Sequence, residues 1–228
     1  MTRVAVVKFP GSNCDEDTLR SVQGAGAEAF YVWHREESLG NADVVILPGG
    51  FAYGDHLRAG AIARFSPVMR AVEAHAAAGG PVLGICNGFQ ILCEAGLLDG
   101  ALIRNACLTF LSRPVRIRVE SVDTPFTNAY SSGAEFDVPI AHGEGRFLAR
   151  EEELRDIEEE GRVVMRYVDD NPNGSENAIA GIRNRPGNVV GMMPHPERAA
   201  DPLLGETRGK FVFESLVKTV EALPGGSP

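Results

Sequence analysis

Short apolar runs separated by longer, partly polar stretches organise the first hundred residues. The apolar runs cover residues 3–9, 27–33, 42–47 and 81–85, and helix-favouring sequence lies between the first two and between the last two. Strands that alternate with helices in this way predict a parallel sheet covered on both faces. Ligands of such a sheet bind beyond the carboxyl ends of its strands, so a site is expected in the loops that follow these runs.

The pattern changes in the second half of the chain. Residues 101–105 and 107–120 alternate apolar with polar positions, which is typical of antiparallel strands with one solvated face. Further short strands and a closing amphipathic helix are expected at 163–168, 178–183, 189–193 and 208–222. The predicted fold class is α/β, with a mostly parallel central sheet flanked by helices and a smaller antiparallel sheet. We expect one domain over residues 1–228, with a frayed tail at 223–228.

Composition narrows the class of protein. Apolar residues make up 44% of the 228, enough for a sizeable core, and the formal net charge is -9. An acidic chain without a basic stripe argues against a nucleic-acid partner. The first residues enter a strand directly, and no apolar run approaches the length of a membrane span. We therefore expect a cytoplasmic protein with no nucleic-acid and no membrane partner.

Four cysteines, at positions 14, 86, 93 and 107, are too few and too irregularly spaced for a disulfide scaffold or a zinc site. We expect reduced thiols and no metal. Cys93 lies one helical repeat from Cys86 and is interpreted as a core residue, and Cys107 as a core residue of a strand. Cys14 follows a Pro-Gly-Ser-Asn turn, whose default interpretation is a turn in the core.

Cys86 is the candidate nucleophile. It follows the apolar run at 81–85, is flanked by Gly84 and Gly88, and precedes a helix-like segment. Strand, sharp turn and helix form the layout of a nucleophile elbow with cysteine in place of serine. The positive end of the helix and a nearby imidazolium favour the reactive thiolate, and the next backbone N–H can serve an oxyanion hole. Read alone, the motif fits a small buried cysteine equally well.

His195 is the most informative of the five histidines. It lies in Pro194-His195-Pro196-Glu197 after a predicted strand, and residues two apart face the same side in an extended segment. Glu197 can then hold one ring nitrogen while the other faces the thiol, which completes a Cys-His-Glu triad. His56 and His142 lie in glycine-rich loops that could line the same site. Cys14 is the rival nucleophile, although it lacks a glycine two residues before it.

Several motifs together resemble the class I, or triad, glutamine amidotransferases. These are Gly-x-Cys-x-Gly-x-Gln at 84–90, Pro-Gly-Gly at 48–50 and His-x-Glu at 195–197. Five longer segments narrow the resemblance to the family of free glutaminase subunits of phosphoribosylformylglycinamidine synthase, an enzyme of purine biosynthesis. They are residues 9–15, 49–63, 139–145, 171–175 and 192–198. The resemblance covers nearly the whole chain and implies a flavodoxin-like fold.

The resemblance also implies roles for individual residues. Cys86 would attack the carboxamide of L-glutamine, His195 would carry the proton to the leaving ammonia, and Glu197 would orient His195. Gly50 and Asn87 look like the oxyanion-hole residues. Gln90 looks like a glutamine-binding side chain and Gly143 like a backbone contact to the substrate. No role is implied for residues 13–15.

The partners implied by this resemblance lie on other chains. No nucleotide-binding motif is visible in the sequence, so ATP and Mg²⁺ are expected on a large synthetase subunit that receives the ammonia and converts formylglycinamide ribonucleotide to the amidine. A small accessory subunit would bridge the two. The chain itself is expected to carry no cofactor.

Two other functions compete with this interpretation. A triad amidotransferase could serve another acceptor, such as those of anthranilate, CTP or GMP formation, and reconstitution with different synthetases would separate these. A regulatory or binding module that has lost catalysis is the second alternative. The presence of Cys86, His195 and Glu197 argues against it.

Overall fold

A computed structural model describes residues 1–222 of the protein; the tail expected at 223–228 lies outside them. Eleven strands and five α-helices are described within that range. The strands are β1 (Arg3–Lys8), β2 (Glu28–Trp33), β3 (Val44–Leu47), β4 (Val82–Ile85), β5 (Ala101–Ile103), β6 (Leu111–Val119), β7 (Glu135–His142), β8 (Arg146–Leu148), β9 (Val163–Tyr167), β10 (Ile179–Arg183) and β11 (Val189–Met192). The helices are α1 (Asp15–Gly24), α2 (Val68–Ala77), α3 (Asn87–Glu94), α4 (Glu151–Glu159) and α5 (Lys210–Glu221).

Nine strands form one mixed sheet in the order β2-β1-β3-β4-β11-β10-β9-β6-β7. The first five are parallel, and their spatial order is that of a flavodoxin-like doubly wound sheet. From β11 onward the neighbours are antiparallel, and β5 with β8 forms a separate two-stranded antiparallel sheet. The expected α/β class, with a large sheet and a smaller antiparallel one, is confirmed. One domain over the whole chain stays a prediction.

The parallel half forms the core because its strands are apolar at nearly every position. All four residues of β3, β4 and β11 are buried, as expected for strands covered on both faces. Helix α3 lies directly over β3 and β4, and Phe89 and Leu92 of that helix are fully buried. The carboxyl ends of β3, β4 and β11 therefore meet at one edge of a rigid core.

The antiparallel half returns to that same edge. The backbone N–H of His195, just after β11, donates to the carbonyl of Pro139 in β7 at 2.8 Å. The Cys86 sulfur lies 3.8 Å from the carbonyl oxygen of Ala141, also in β7. The loops after β4 and β11 thus pack against β7, so residues far apart in the chain share one site.

Two details differ from expectation. Cys107 is exposed in a loop, because β6 begins only at Leu111 and the Asn105 side chain ties the preceding segment into a turn by donating to the carbonyls of Thr109 and His142. Cys93 is partly rather than fully buried. In the part of the chain that the structure describes, no helix has both the length and the apolar character needed to cross a membrane.

Candidate active site

Cys86 occupies a strained turn between β4 and α3. Its backbone has φ 49° and ψ -103°, an unfavourable conformation for a residue with a side chain and typical of a nucleophile elbow. The flanking glycines allow this turn because the helix crosses very close to the sheet. A Cβ on Gly88 would lie 1.9 Å from the Leu47 carbonyl oxygen, and one on Gly84 would lie 2.6 Å from Gly88. The sharp turn requires both glycines.

The next residue, Asn87, ties the elbow to the glycine-rich loop after β3. Its side-chain oxygen accepts a hydrogen bond from the N–H of Ala52 at 2.9 Å, and its nitrogen donates to Asp55 at 3.1 Å. Within this loop Tyr53, Asp55 and Leu57 all have positive φ, so the loop is held in a strained conformation. The segment with Gly50 is thereby fixed next to the first turn of α3, where backbone N–H groups lack partners within the helix.

His195 and Glu197 form a buried pair after β11. The His195 Nδ1 and Glu197 Oε1 atoms are 2.6 Å apart, and both side chains are almost completely inaccessible to solvent. The expected extended geometry is wrong: Glu197 lies in a short 3-10 turn, residues 196–199, that begins at Pro196. Proline fixes φ near the helical value, so it starts the turn, and the turn still brings the two side chains together.

The charge state of His195 follows from its neighbours. Burial alone would lower the pKa of His195, but the Glu197 carboxylate and the nearby Cys86 and Cys14 side chains outweigh it, so the pKa lies well above its ordinary value. The Nε2 atom of His195 and Oε2 of Glu197 are buried without a hydrogen-bond partner among the described residues. An imidazolium beside a thiol, with one N–H to spare, is suited to protonating a leaving group.

A cavity of about 280 Å³ opens onto Cys86. Gly50, Cys86, Gln90 and Gly143 all line it, so four of the predicted site residues share one pocket wall. The Gln90 amide is held in place, since its oxygen accepts from Asn87 at 2.9 Å and its nitrogen donates to the Glu144 carbonyl at 2.6 Å. The Asn87 side chain supports this wall without lining it.

The pocket also carries charges that the sequence did not single out. Asp55 and Glu144 both line it, together with Arg104. Burial, with a contribution from the neighbouring Glu144, raises the pKa of Asp55 to about 6. The lining of the pocket therefore carries charges of both signs, two acidic groups and one guanidinium.

His142 is the second histidine of the site, and His56 is exposed. The Nδ1 atom of His142 pairs with the amide oxygen of Asn105 at 3.1 Å, and its Nε2 is buried and unpartnered among the described residues. Burial and the nearby His195 lower the pKa of His142 to about 4. The His-Gly-Glu-Gly motif at 142–145 placed this histidine in a candidate loop, but only the structure shows its neutral partner.

Cys14 is buried at the turn before α1, as its default interpretation predicted, but the sequence did not indicate its neighbours. Its sulfur, a ring nitrogen of His195 and a carboxylate oxygen of Glu197 all lie within 4.8 Å of one another, and all three residues are buried. The Arg198 guanidinium donates to the Cys14 sulfur at 3.2 Å. This positive charge disfavours a metal ion there, although the three side chains are of metal-binding type.

Known proteins match the chain over almost its full length. The CobB/CobQ-like glutamine amidotransferase domain matches residues 1–210. A solved structure titled "Structure of PurLQS from Thermotoga maritima" is similar with a TM-score of 0.89 and 45% identity, over 96% of this chain and 99% of that one. Fold, elbow and matched domain together define a glutamine amidotransferase.

Curated relatives specify the branch of that class. A phosphoribosylformylglycinamidine synthase subunit PurQ from Rubrobacter xylanophilus is 58% identical over 215 residues, 94% of this chain and 97% of the relative. The protein of the same name from Trichormus variabilis is 55% identical over 222 residues, 97% of this chain and 99% of the relative. The chain belongs to the PurQ family of phosphoribosylformylglycinamidine synthase subunits.

Proposed function

We propose that this protein hydrolyses L-glutamine to glutamate and ammonia and delivers the ammonia to a separate synthetase subunit of phosphoribosylformylglycinamidine synthase. There the ammonia converts formylglycinamide ribonucleotide to the amidine in purine biosynthesis. The observation that carries the proposal is the buried His195–Glu197 pair beside Cys86 at a strained elbow, in a chain of the PurQ family. The reaction takes place in the cytoplasm.

The chemistry begins with Cys86 as the thiolate, its proton held on the His195 imidazolium, and the sulfur attacks the side-chain carboxamide carbon of glutamine. A carbon–sulfur bond forms, and the carbonyl electron pair moves onto the oxygen. Backbone N–H groups at Asn87 and Gly50 stabilise this oxyanion, the kind of contact whose loss costs on the order of 100- to 1000-fold in other hydrolases. The tight packing of α3 on β3 keeps the donor at Asn87 in position before the substrate arrives.

His195 then moves the protons. Its imidazolium donates a proton to the amide nitrogen, the carbon–nitrogen bond breaks, and ammonia leaves a glutamyl thioester on Cys86. The neutral His195 next takes a proton from water as that water attacks the thioester, which releases glutamate. Glu197 holds the ring by its Nδ1 atom at 2.6 Å and stabilises the charged form in each cycle.

The pocket suits a zwitterionic amino acid. Asp55 and Glu144 offer carboxylates for the α-ammonium group, and Arg104 offers a guanidinium for the α-carboxylate. Gln90 and Gly143 line the same pocket as these charges and Cys86. Because the pocket binds the charged α-groups as well as the carboxamide, an amide that lacks the α-ammonium and α-carboxylate groups should be a poor substrate.

Large apolar side chains surround the mouth of this pocket. Phe51, Leu108 and Phe110 line it and are all exposed, Leu108 to 72%. An exposed apolar rim is typical of a protein interaction site, and we place the synthetase subunit there. Such docking shelters ammonia from protonation in solution. ATP and Mg²⁺ bind on the synthetase subunit, with a small accessory subunit between the two chains, and this chain carries no cofactor.

The proposal is tested with the variant Cys86→Ala in the assembled synthase. Amidine formation from glutamine is expected to fall below detection, because the thioester cannot form. Synthesis from added ammonium salt should stay within about twofold of wild type, since the synthetase site is untouched. Product formation is measured with each nitrogen source in turn. The matched control is Cys93→Ala, a thiol near the carboxyl end of α3 that does not line the pocket, which should leave both activities unchanged.

Three outcomes would contradict the proposed function. Equal loss of both activities in Cys86→Ala would mean that Cys86 serves the synthetase or the assembly instead. Covalent labelling by an electrophilic glutamine analogue, located by mass spectrometry, should modify Cys86. Labelling of Cys14 instead would show that Cys14, and not Cys86, is the nucleophile. If glutamine supports no amidine formation with the phosphoribosylformylglycinamidine synthetase but does support synthesis with a different synthetase, the ammonia acceptor is another molecule.

A further inference from the structure

A buried thiol that the proposed mechanism does not use lies beside its base. Cys14 is the residue just before α1, and its sulfur lies within 4.8 Å of both a His195 ring nitrogen and a Glu197 carboxylate oxygen. Its own partners are the Asn13 side-chain oxygen, to which the thiol donates at 3.2 Å, and the Arg198 guanidinium, also at 3.2 Å. Cys14 thus connects the β1–α1 turn to the turn that carries the triad base.

The backbone after β3 is shaped to permit this contact. A Cβ on Gly49 would lie 2.7 Å from Cε1 of His195 and 3.2 Å from the Cys14 sulfur, so any other residue there would separate the two side chains. The Cys14 N–H donates to the Gly49 carbonyl at 3.2 Å, which fixes the turn against the same residue. The imidazole therefore lies among the β1–α1 turn, the Gly49 backbone and its own 3-10 turn.

We propose that Cys14 is a positioning residue for His195: its sulfur, held by Arg198, packs beside the imidazole and keeps the ring in line between Glu197 and Cys86. This inference rests on the proposed glutaminase function. The role needs a polarisable atom that accepts from a guanidinium and also contacts a ring, which a thiol provides. Arg198 is three residues after His195, so the same turn supplies both the ring and the group that fixes its support.

The neighbours of His195 make the effect measurable. The titratable and charged groups around it are Glu197 and Arg198 on its own turn, Cys14 before α1, Cys86 after β4 and His142 at the end of β7. Both thiols contribute to raising the pKa of His195. Loss of the Cys14 sulfur is therefore expected to shift the titration of His195 to lower pH, whereas a thiol that only fills space would not move it.

The test compares Cys14→Ala and Cys14→Ser in the assembled synthase. Cys14→Ala should lower kcat for glutamate release roughly ten- to a hundredfold, because the base is misplaced, while KM for glutamine stays within about twofold. In the pH profile of kcat/KM, the limb that reports loss of the His195 proton should move to lower pH. Cys14→Ser should recover part of both effects. Cys93→Ser, a partly buried thiol on α3, is the matched control and should match wild type.

Several results would overturn the proposal. Wild-type kcat with an unmoved pH profile in Cys14→Ala would exclude a positioning role, and a fall in kcat with an unmoved profile would reduce Cys14 to a structural role. A third result concerns added zinc chloride. If it inhibits wild type but not Cys14→Ser, and the two proteins share one pH profile of kcat/KM, then Cys14, His195 and Glu197 form a metal site instead. Titration of the His195 ring by NMR in both proteins needs no turnover. It tests the inference even if wild type fails to hydrolyse glutamine.

Discussion

His142 lines the pocket, and His195 lies near both His142 and Cys86 without lining it; both histidines are buried, yet their pKa values move in opposite directions. The pKa of His195 lies well above its ordinary value and that of His142 falls to about 4. Burial lowers both, so burial does not explain the difference. His195 pairs with the Glu197 carboxylate, whereas His142 pairs with the neutral amide of Asn105.

The comparison shows that the partner's charge decides which histidine holds a proton. A carboxylate offsets the desolvation cost of a buried imidazolium through its negative charge, and a neutral amide offsets that cost far less. The neutral His142 also avoids a second positive charge next to His195. The site therefore presents one acid that can deliver a proton and one neutral ring that can accept a hydrogen bond.

The strongest way to break the contrast is Glu197→Gln, which gives His195 a neutral partner like that of His142. We expect kcat for glutamate release to fall roughly 10²- to 10⁴-fold, since the ring loses its charge and its preferred tautomer. Glutamate release by the assembled synthase measures this. Glu206→Gln, a partly buried carboxylate paired with Arg208, is the control and should stay near wild type. A loss below tenfold for Glu197→Gln would contradict the assigned role.

Asn105→Asp tests the contrast from the other side, by giving His142 a carboxylate. The pKa of His142 should rise by roughly one to three units, because an adjacent negative charge favours the imidazolium. The ring proton resonances followed by NMR across pH 4 to 8 report the change. His195 should then titrate at lower pH, because a charged His142 repels its proton. An unmoved His142 titration would mean that burial alone sets its pKa.

Acid stability gives the smallest effect. The folded pKa of His142, about 4, lies below the unfolded value of about 6.5, so the unfolded chain binds the extra proton and stability is lost as pH falls from 6.5 towards 4. Between pH 7.5 and 5 this amounts to about 2 kcal/mol. Chemical denaturation should show that His142→Gln loses less stability than wild type over this range.

His75 provides the control for the acid-stability experiment. His75 on α2 is partly buried, and its pKa is also lowered by burial, but it has no place in the site. His75→Gln should change the acid loss of stability less than His142→Gln and leave glutamate release unchanged. An acid loss in His142→Gln equal to that of wild type would show that another group controls it.

Local signals in the sequence were sufficient for the elbow and the parallel half. Gly84, Cys86 and Gly88 form a contiguous motif whose spacing reflects the crossing of α3 over the sheet, and the apolar runs mark strands buried on both faces. The His195–Glu197 pair was also predicted, although through an extended segment instead of a 3-10 turn. Pro196 favours the turn, and in that turn the two side chains still pair at 2.6 Å.

The remaining contacts depend on tertiary structure and leave no local trace. Cys14 and Arg198 are 184 residues apart, and Asn105 and His142 are 37 apart. Cys14 follows β1 and Arg198 follows β11, so this pair meets where two strands of the parallel half end. Asn105 follows β5 of the small sheet and meets His142 at the end of β7. No pattern along the chain identifies these partners, so the charge of His142 and the neighbours of Cys14 could not be predicted from the sequence.

The hydrogen bond from the His195 N–H to Pro139 has a consequence for the solubility of the protein. Strand β7 ends the nine-stranded sheet, and an open edge strand invites pairing with another molecule. Pro139 offers no N–H, and its carbonyl is already taken by His195 at 2.8 Å. The backbone just before the 3-10 turn therefore also covers this point on the edge of the sheet. Substitutions that loosen this turn should promote aggregation as well as loss of turnover.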